Sequence, residues 1–290
     1  MTLVNTKKIL EEARIKKYAI GAFNVTTLEA IRGIIAAAEQ EKSPVIMEFA
    51  QAHEKFVPLN TIGPIMVQAA KDAKVPVAVH FDHGTDFQLI LQALKMGFTS
   101  VMIDGAALPY EENVKKTQKV VEVAHALGAT VEAELGRVED SGSFQCQEED
   151  LYTNPKMAID FEKQTGIDLL AVSFGTAHGL YIEKPCLDFE RLKEISQSVS
   201  IPLVMHGGSG LLREEYQESI SKGICKINYY SDLAHLVAKE VAKRLMEAEK
   251  LGKEIYIHDI STWSIEIIQR DVAEKMKIFG STGVLEGRME

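Results

Sequence analysis

The sequence predicts an α/β protein, a (β/α)8 TIM barrel with additional C-terminal helices, and three observations predict it. Short apolar runs rich in Val, Ile and Phe recur eight times along the chain. Most are separated by stretches with apolar residues at three- and four-residue intervals, several ending at Gly or Pro, the pattern of amphipathic helices. The runs are apolar along their length, so each strand is buried on both faces, as parallel strands joined by helical crossovers are. Eight such units fit a 290-residue chain, since barrels of this kind run to about 250 residues.

Taken in order, the first strand is YAIGAF, residues 18–23, followed by the helical pattern TLEAIRGIIAAAEQEK at 27–42. PVIMEF at 44–49 leads to a helix at 60–74, and PVAVHF at 76–81 to DFQLILQALKMG at 86–97. SVMID at 100–104 precedes a helix at 111–128, ATVEAEL at 129–135 one at 154–166, and LLAVSF at 169–174 one at 188–199. IPLVMH at 201–206 and ICKIN at 224–228 complete the eight strands, and helical patterns at 231–254 and 264–279 extend the last unit. No Pro/Gly/Ser-rich linker divides the chain, so residues 1–290 are expected to form one domain. The segment RVEDSGSFQCQEEDLYT, residues 137–153, has no apolar period and exceeds what a barrel loop needs, which points to a mobile active-site loop.

Composition narrows the function classes. A net charge of −10 argues against a general nucleic-acid surface, so an anionic substrate must be captured locally. Cys146, Cys186 and Cys225 are an odd count without a CxxC pair, which fits a reducing cytosol better than a disulfide framework. The N-terminal stretch carries acidic residues inside its helical pattern, so neither a signal peptide nor a membrane anchor is expected, and the location is read as cytoplasmic.

Active sites of such barrels stand at the C-terminal strand ends. Read in order, those positions are Asn24, Glu48 to Gln51, Asp82 with His83, Asp104, Glu134, His178, His206 and Asn228. His83, His178 and His206 are far apart in sequence and form no local motif, but a barrel brings strand ends round one cavity. Three neutral imidazoles with an open position make a catalytic Zn2+ site; the alternative is histidines that only donate to backbone carbonyls. Asp104 and Glu134 are further metal ligands, partners of the histidines, or members of salt bridges at the rim. Strand alternation puts His80 on the face opposite His83, as support or packing. His125 and His235 lie in helical patterns as surface or packing residues, while His53 and His258 follow elements and stay candidates for the site without being expected to ligate metal.

HGGSG, residues 206–210, follows the seventh strand, and INYYSD, residues 227–232, follows the eighth and enters a helix. Loops after these strands, with a helix N-terminus, form the recurring phosphate site of such barrels, while glycines admit backbone N–H groups and Ser209 and Ser231 add hydroxyls. Ordinary tight turns are the bland alternative. Lys226, inside the eighth strand, is read as an ion-paired barrel residue rather than a Schiff-base lysine.

The segments YAIGAFNV, PVAVHFDHGTDF, GFTSVMIDGAALPYEENV, VEAELGRV, GTAHGLY, IPLVMHGGSG and GICKIN resemble, nearly end to end, the class II metal-dependent ketose-bisphosphate aldolases of the fructose- and tagatose-bisphosphate type. The resemblance implies an aldehyde-lyase of carbohydrate metabolism such as glycolysis, cleaving a phosphorylated ketose to dihydroxyacetone phosphate and an aldehyde such as glyceraldehyde 3-phosphate. It implies Zn2+ on His83, His178 and His206, a displaced or second metal at Asp104 and Glu134, and a monovalent cation, Na+ or K+, near the glycine loops. Asp82 would exchange the proton of the C4 hydroxyl, Asn228 would hydrogen-bond the enediolate, and Glu139 or Asp140 is the candidate base at C3. Gly179, Gly207, Gly208, Ser209, Tyr230 and Ser231 fall in the substrate-binding set. A homodimer or homotetramer is the implied assembly.

Departures from the family pattern concern the far half of the substrate. Ala50 stands where many relatives have a phosphate-binding serine, Tyr229 and Tyr230 where small or acidic residues are usual, and HDISTWSIEII lacks a distal arginine. A ketose 1-phosphate with a deoxy, keto-acid or sulfonate end is therefore an alternative substrate. A non-catalytic accessory subunit, or a metal hydrolase or isomerase on the same scaffold, are the competing function classes.

Overall fold

The structure, a computed structural model, describes residues 2–138, 151–181 and 185–286. The chain begins with helix α1 (Thr6–Lys16), capped by the Asn5 side chain. The barrel units follow as β1 (Ile20–Asn24), α2 (Leu28–Glu41), β2 (Val45–Ala50), α3 (Leu59–Asp72), β3 (Val77–Gly84), α4 (Phe87–Met96), β4 (Ser100–Ile103) and α5 (Tyr110–Ala126). The second half is β5 (Thr130–Leu135), α6 (Pro155–Thr165), β6 (Leu169–Val172), α7 (Phe189–Ser198), β7 (Leu203–Met205), α8 (Arg213–Ser221), β8 (Ile224–Tyr229), α9 (Ser231–Lys250) and α10 (Ile257–Phe279). The strands close in chain order, and β1 pairs parallel with both β2 and β8.

Strand alternation divides the core into two apolar layers. Outward residues such as Met47, Val79, Val101 and Leu170 pack under the helices, and inward residues such as Ile20, Ile46, Ala78 and Met102 plug the barrel floor. Helix α1 closes that floor with Leu10 and Ala13, and Thr6 Oγ1 lies 2.6 Å from Thr130 Oγ1. Two residues further along the inward faces the chemistry changes: Glu48, His80 and Glu132, with Lys226 on β8, are fully buried. The floor is therefore apolar and rigid, and the charged layer above it faces the open, C-terminal end of the strands.

All eight expected strands form, with boundaries shifted by at most three residues. Helix α8 has no counterpart in the sequence expectations, because only Tyr216, Ser219 and Ile220 of its nine residues are buried and its apolar period is short. Helix α10 starts at Ile257, ahead of the expected residue 264; none of its residues before Ile267 is fully buried, so its first turns show no core-facing stripe. Of the long loop, residues 139–150 lie outside the described residues, and its ends are tied by the Arg137 N–H donating to Leu151 O at 2.7 Å.

Cys186 is disulfide-bonded, although the cysteine count fits a reducing cytosol better than a disulfide framework; sequence spacing does not report the Cα separation that a disulfide requires. Cys225 is free and buried, and Cys146 lies outside the described residues. Among the described residues no helix is long and apolar enough to cross a membrane.

Candidate active site

The end of β3 breaks strand alternation. Its register with β4 shifts between Phe81 and Gly84, and His83 adopts φ 49°, the left-handed region that a non-glycine residue seldom occupies. Asp82 points inward by alternation, and the irregularity returns His83 to the same side, so two consecutive side chains line one cavity of about 500 Å3. His80 also points inward, which corrects the expectation that it faces away from His83. It remains a supporting residue: His80 Nδ1 lies 2.7 Å from Ser100 Oγ, and Nε2 3.7 Å from Glu132 Oε2.

The cavity gathers the three histidines. Nitrogen atoms of His83, His178 and His206 lie within 4.8 Å of one another. His83 Nδ1 is 2.8 Å from Asp104 Oδ2, and His206 Nε2 is 2.8 Å from Glu132 Oε1, so both outer nitrogens donate to carboxylates. The inner pair, His83 Nε2 and His206 Nδ1, then face each other at 2.8 Å. A proton on His83 Nε2 donating to His206 Nδ1, or a metal ion in its place, relieves the repulsion of two lone pairs at that distance, and His178 Nε2 is buried without a partner. The donor set fits a metal ion, with Asp104 and Glu132 orienting the imidazoles.

The electrostatics agree. Burial pushes His178 down to about 3 and also lowers His206, leaving both neutral with free lone pairs. Burial also disfavours charge on His83, but the Asp82 carboxylate and the Asp104 hydrogen bond outweigh it and carry that imidazole up to about 10. In the metal-free protein the cluster thus holds one proton where a metal would compete for it.

Asp104 and Glu134 form a second potential cation group with His83, their ligand atoms also within 4.8 Å. Glu134 Oε1 accepts the Val138 N–H at 3.2 Å, and Oε2 is buried without a partner. Burial, reinforced by Asp104, pushes the Glu134 carboxyl up to about 8. Beneath them, Lys226 Nζ lies 2.7 Å from Glu48 Oε1 and 2.9 Å from Glu132 Oε2, an ion-paired lysine in the barrel core, as expected.

Asp82 is held between two amides: Asn24 Nδ2 donates to Oδ2 at 3.3 Å and Asn228 Nδ2 to Oδ1 at 3.2 Å. Burial alone would raise its carboxyl, yet the His83 and Lys226 charges prevail and hold it well below the usual carboxylate range. Asp82 is therefore an ionised acceptor, and the Asn228 carbonyl oxygen is buried without a partner beside it.

The glycine loops line the same cavity. Gly179, Gly207, Gly208 and Ser209 border it from the β6 and β7 sides, Tyr230 and Ser231 from β8. Gly207 has φ 65°, and a Cβ there would stand 2.4 Å from Ala177 O; a Cβ on Gly208 would meet Asn228 O at 2.7 Å. Both positions require glycine for the backbone to approach so closely. Ser209 Oγ accepts from Tyr230 N–H at 3.3 Å and Asp232 N–H at 3.4 Å, which leaves its own proton to donate at the start of α9.

Glu139 and Asp140 lie outside the described residues. Sequence reasoning passed over Glu132, although its parity with Glu134 on β5 was legible, and it gave Asn24 no role. It also left His53 without one: this residue, on the 3-10 turn Gln51–Lys55 after β2, lines the cavity. Tyr229 points its side chain toward α10, where it meets Asp271, so its phenol is not a site group.

Comparison with known proteins places this geometry. The family model described as fructose-bisphosphate aldolase class-II matches residues 4–284. A fructose-bisphosphate aldolase of Geobacillus stearothermophilus is 40% identical over 289 residues, covering 98% of this chain and 99% of the relative. One from Thermus caldophilus is 38% identical over 309 residues, covering 97% and 99%. Among solved structures, the YdjI aldolase from Escherichia coli K12 superposes with a TM-score of 0.85 at 35% identity, covering 97% of this chain and 98% of that one.

Proposed function

This chain belongs to the class-II fructose-bisphosphate aldolase family, and from that premise we propose that it is a zinc-dependent aldolase. The reaction is the reversible cleavage of a phosphorylated ketose to dihydroxyacetone phosphate and an aldehyde. The observation that carries this reading is the convergence, in one cavity, of a three-histidine cluster, an ionised Asp82 and two glycine loops.

His83, His178 and His206 would hold the metal, with Asp104 and Glu134 as a second cation group. When bound, a divalent metal supplies Lewis-acid stabilisation of the negative charge that cleavage leaves on the triose-phosphate oxygens. Asp82 takes the proton of the C4 hydroxyl as that carbon becomes an aldehyde; its depressed pKa keeps it ionised for this step. Asn228 donates one amide N–H to Asp82 and its nitrogen also stands 3.5 Å from His206 Nδ1; with that imidazole on a metal, the second N–H would serve the enediolate of the triose phosphate. Ser209, Ser231 and the glycine N–H groups bind the phosphate, and Glu139 or Asp140 exchanges the proton at C3.

Fructose 1,6-bisphosphate or tagatose 1,6-bisphosphate, yielding glyceraldehyde 3-phosphate, is the reading supported by what the relatives are named. One observation favours a ketose 1-phosphate without a distal phosphate: no Lys or Arg stands among the described residues lining the cavity. The test is an aldehyde panel condensed with dihydroxyacetone phosphate, with and without EDTA, followed by reconstitution with Zn2+. Turnover that EDTA abolishes and Zn2+ restores is expected. Chelator-insensitive turnover overturns the metal mechanism, and metal binding without carbon–carbon bond cleavage or synthesis overturns the aldolase reading.

A further inference from the structure

His53 is 8% exposed, lines the cavity, and has Nδ1 buried with no hydrogen-bond partner. That atom is closed to solvent, so the ring nitrogen left to face the cavity is Nε2. Its ring is wedged against Tyr230, centroids 4.6 Å apart, with Phe56 at 5.8 Å on the same turn. The turn itself is anchored: Gln51 donates to Thr85 Oγ1 at 2.8 Å and accepts the N–H groups of Thr85 and Asp86 at 2.8 and 3.0 Å. Placement of the imidazole is therefore rigid rather than adventitious.

Its position along the substrate follows from the barrel. Ala50 pairs in register with Asp82, and His53 is three residues beyond Ala50, so it stands above the carboxylate that serves the C4 hydroxyl. The phosphate loops enter from β6, β7 and β8, which leaves the β2 side to whatever extends beyond C4. The described lining there consists of Asn24, Ala50, Ala52 and His53, and burial lowers the His53 pKa, which disfavours the charged imidazole. A phosphate, carboxylate or sulfonate in that space would meet no cation from these residues and would lie near the Asp82 charge. A hydroxyl group would meet a ring that can donate or accept.

We infer that His53 determines substrate choice by hydrogen-bonding a hydroxyl of an uncharged polyhydroxy aldehyde, the half of the substrate beyond the bond that breaks. The inference rests on the aldolase reading and develops its form without a distal phosphate. Alanines at 50 and 52 give such an aldehyde room, and Tyr230 holds the ring edge in place.

The experiment measures kcat/KM for condensation of dihydroxyacetone phosphate with glyceraldehyde, with propionaldehyde, which has the same carbon count and no hydroxyls, and with glyceraldehyde 3-phosphate. Wild-type, metal-loaded protein is expected to prefer glyceraldehyde over both others by roughly tenfold or more. His53→Phe keeps the packed ring and should collapse the glyceraldehyde-to-propionaldehyde ratio toward one, whereas His53→Asn, with an amide to donate, should retain most of it. A ratio unaltered in His53→Phe overturns the inference, and so does a wild type that prefers glyceraldehyde 3-phosphate; the latter measurement needs no variant to fold. Solvent deuterium exchange at C3 of dihydroxyacetone phosphate by the wild type separates the two levels. Absence of exchange sinks the aldolase reading itself, while exchange with an unaltered ratio sinks only the role of His53.

Discussion

The consecutive pair Asp82 and His83 shows how much chemistry one backbone irregularity can create. In a regular strand the two would face opposite sides; the left-handed His83 puts both into one cavity, where Asp82 is ionised and His83 faces His206. Their substitutions should separate by readout. His83→Ala is expected to lose bound metal, measured by elemental analysis, together with turnover. Asp82→Asn should keep the metal and lose roughly 10²- to 10⁴-fold in kcat, the range of a positioned acid or base. Cys225 gives a pH-dependent prediction. Burial pushes its thiol up to about 11, above the ordinary value of ~8.5. Between those values the folded state keeps a proton that the unfolded state has lost, so stability falls as pH rises through that window. Iodoacetamide at pH 8 should therefore leave Cys225 unlabelled in the native protein and label it in urea; labelling at equal rates would contradict the burial.

At the scale of elements, β2, β5 and β8 are joined inside the barrel by Lys226, Glu48 and Glu132, and Glu132 in turn orients His206. Lys226→Met would leave two buried carboxylates without their cation and is expected to destabilise by about 3 to 5 kcal/mol, measured by denaturant unfolding. A Schiff-base role for Lys226 would instead show as trapping of the wild type by borohydride with a ketose phosphate, which this network argues against. Outside the barrel, α10 lies along α2 in the most extensive helix pairing of the described residues. Gly33 permits it, since a Cβ there would stand 2.6 Å from Ile268 Cγ2. Gly33→Val should cost about 1 to 3 kcal/mol through overpacking, visible as a lower melting temperature. The sequence showed α10 as a helix but not this contact, because a single small residue carries no period. Helix α8 was invisible for a related reason: two apolar residues four apart are too few to mark a helix.

For the whole molecule, the inward faces of the strands form an apolar floor, a charged middle layer and an open top, and a metal held by His83, His178 and His206 would tie several strand ends together. Chelation should lower the melting temperature and Zn2+ should restore it, since a ligand at a hundred times its Kd adds about 2.7 kcal/mol to stability; an unchanged melting temperature would show that the cluster binds no metal under those conditions. Against a net charge of −10 the glycine loops and a helix N-terminus are the local features through which the site would hold an anion. The amino-acid sequence by itself determined the eight strands, the parallel barrel, the histidine set and the glycine loops. Apolar runs, helical periods and strand-end residues are local properties, and a barrel turns strand ends into one rim. Only the tertiary structure decided that His83 turns inward beside Asp82, that Glu132 rather than a backbone carbonyl orients His206, that Cys186 is disulfide-bonded, and that His53 borders the cavity. Each of these depends on a distance between segments far apart in the chain, or on one backbone dihedral, and neither is written in the spacing of residue types.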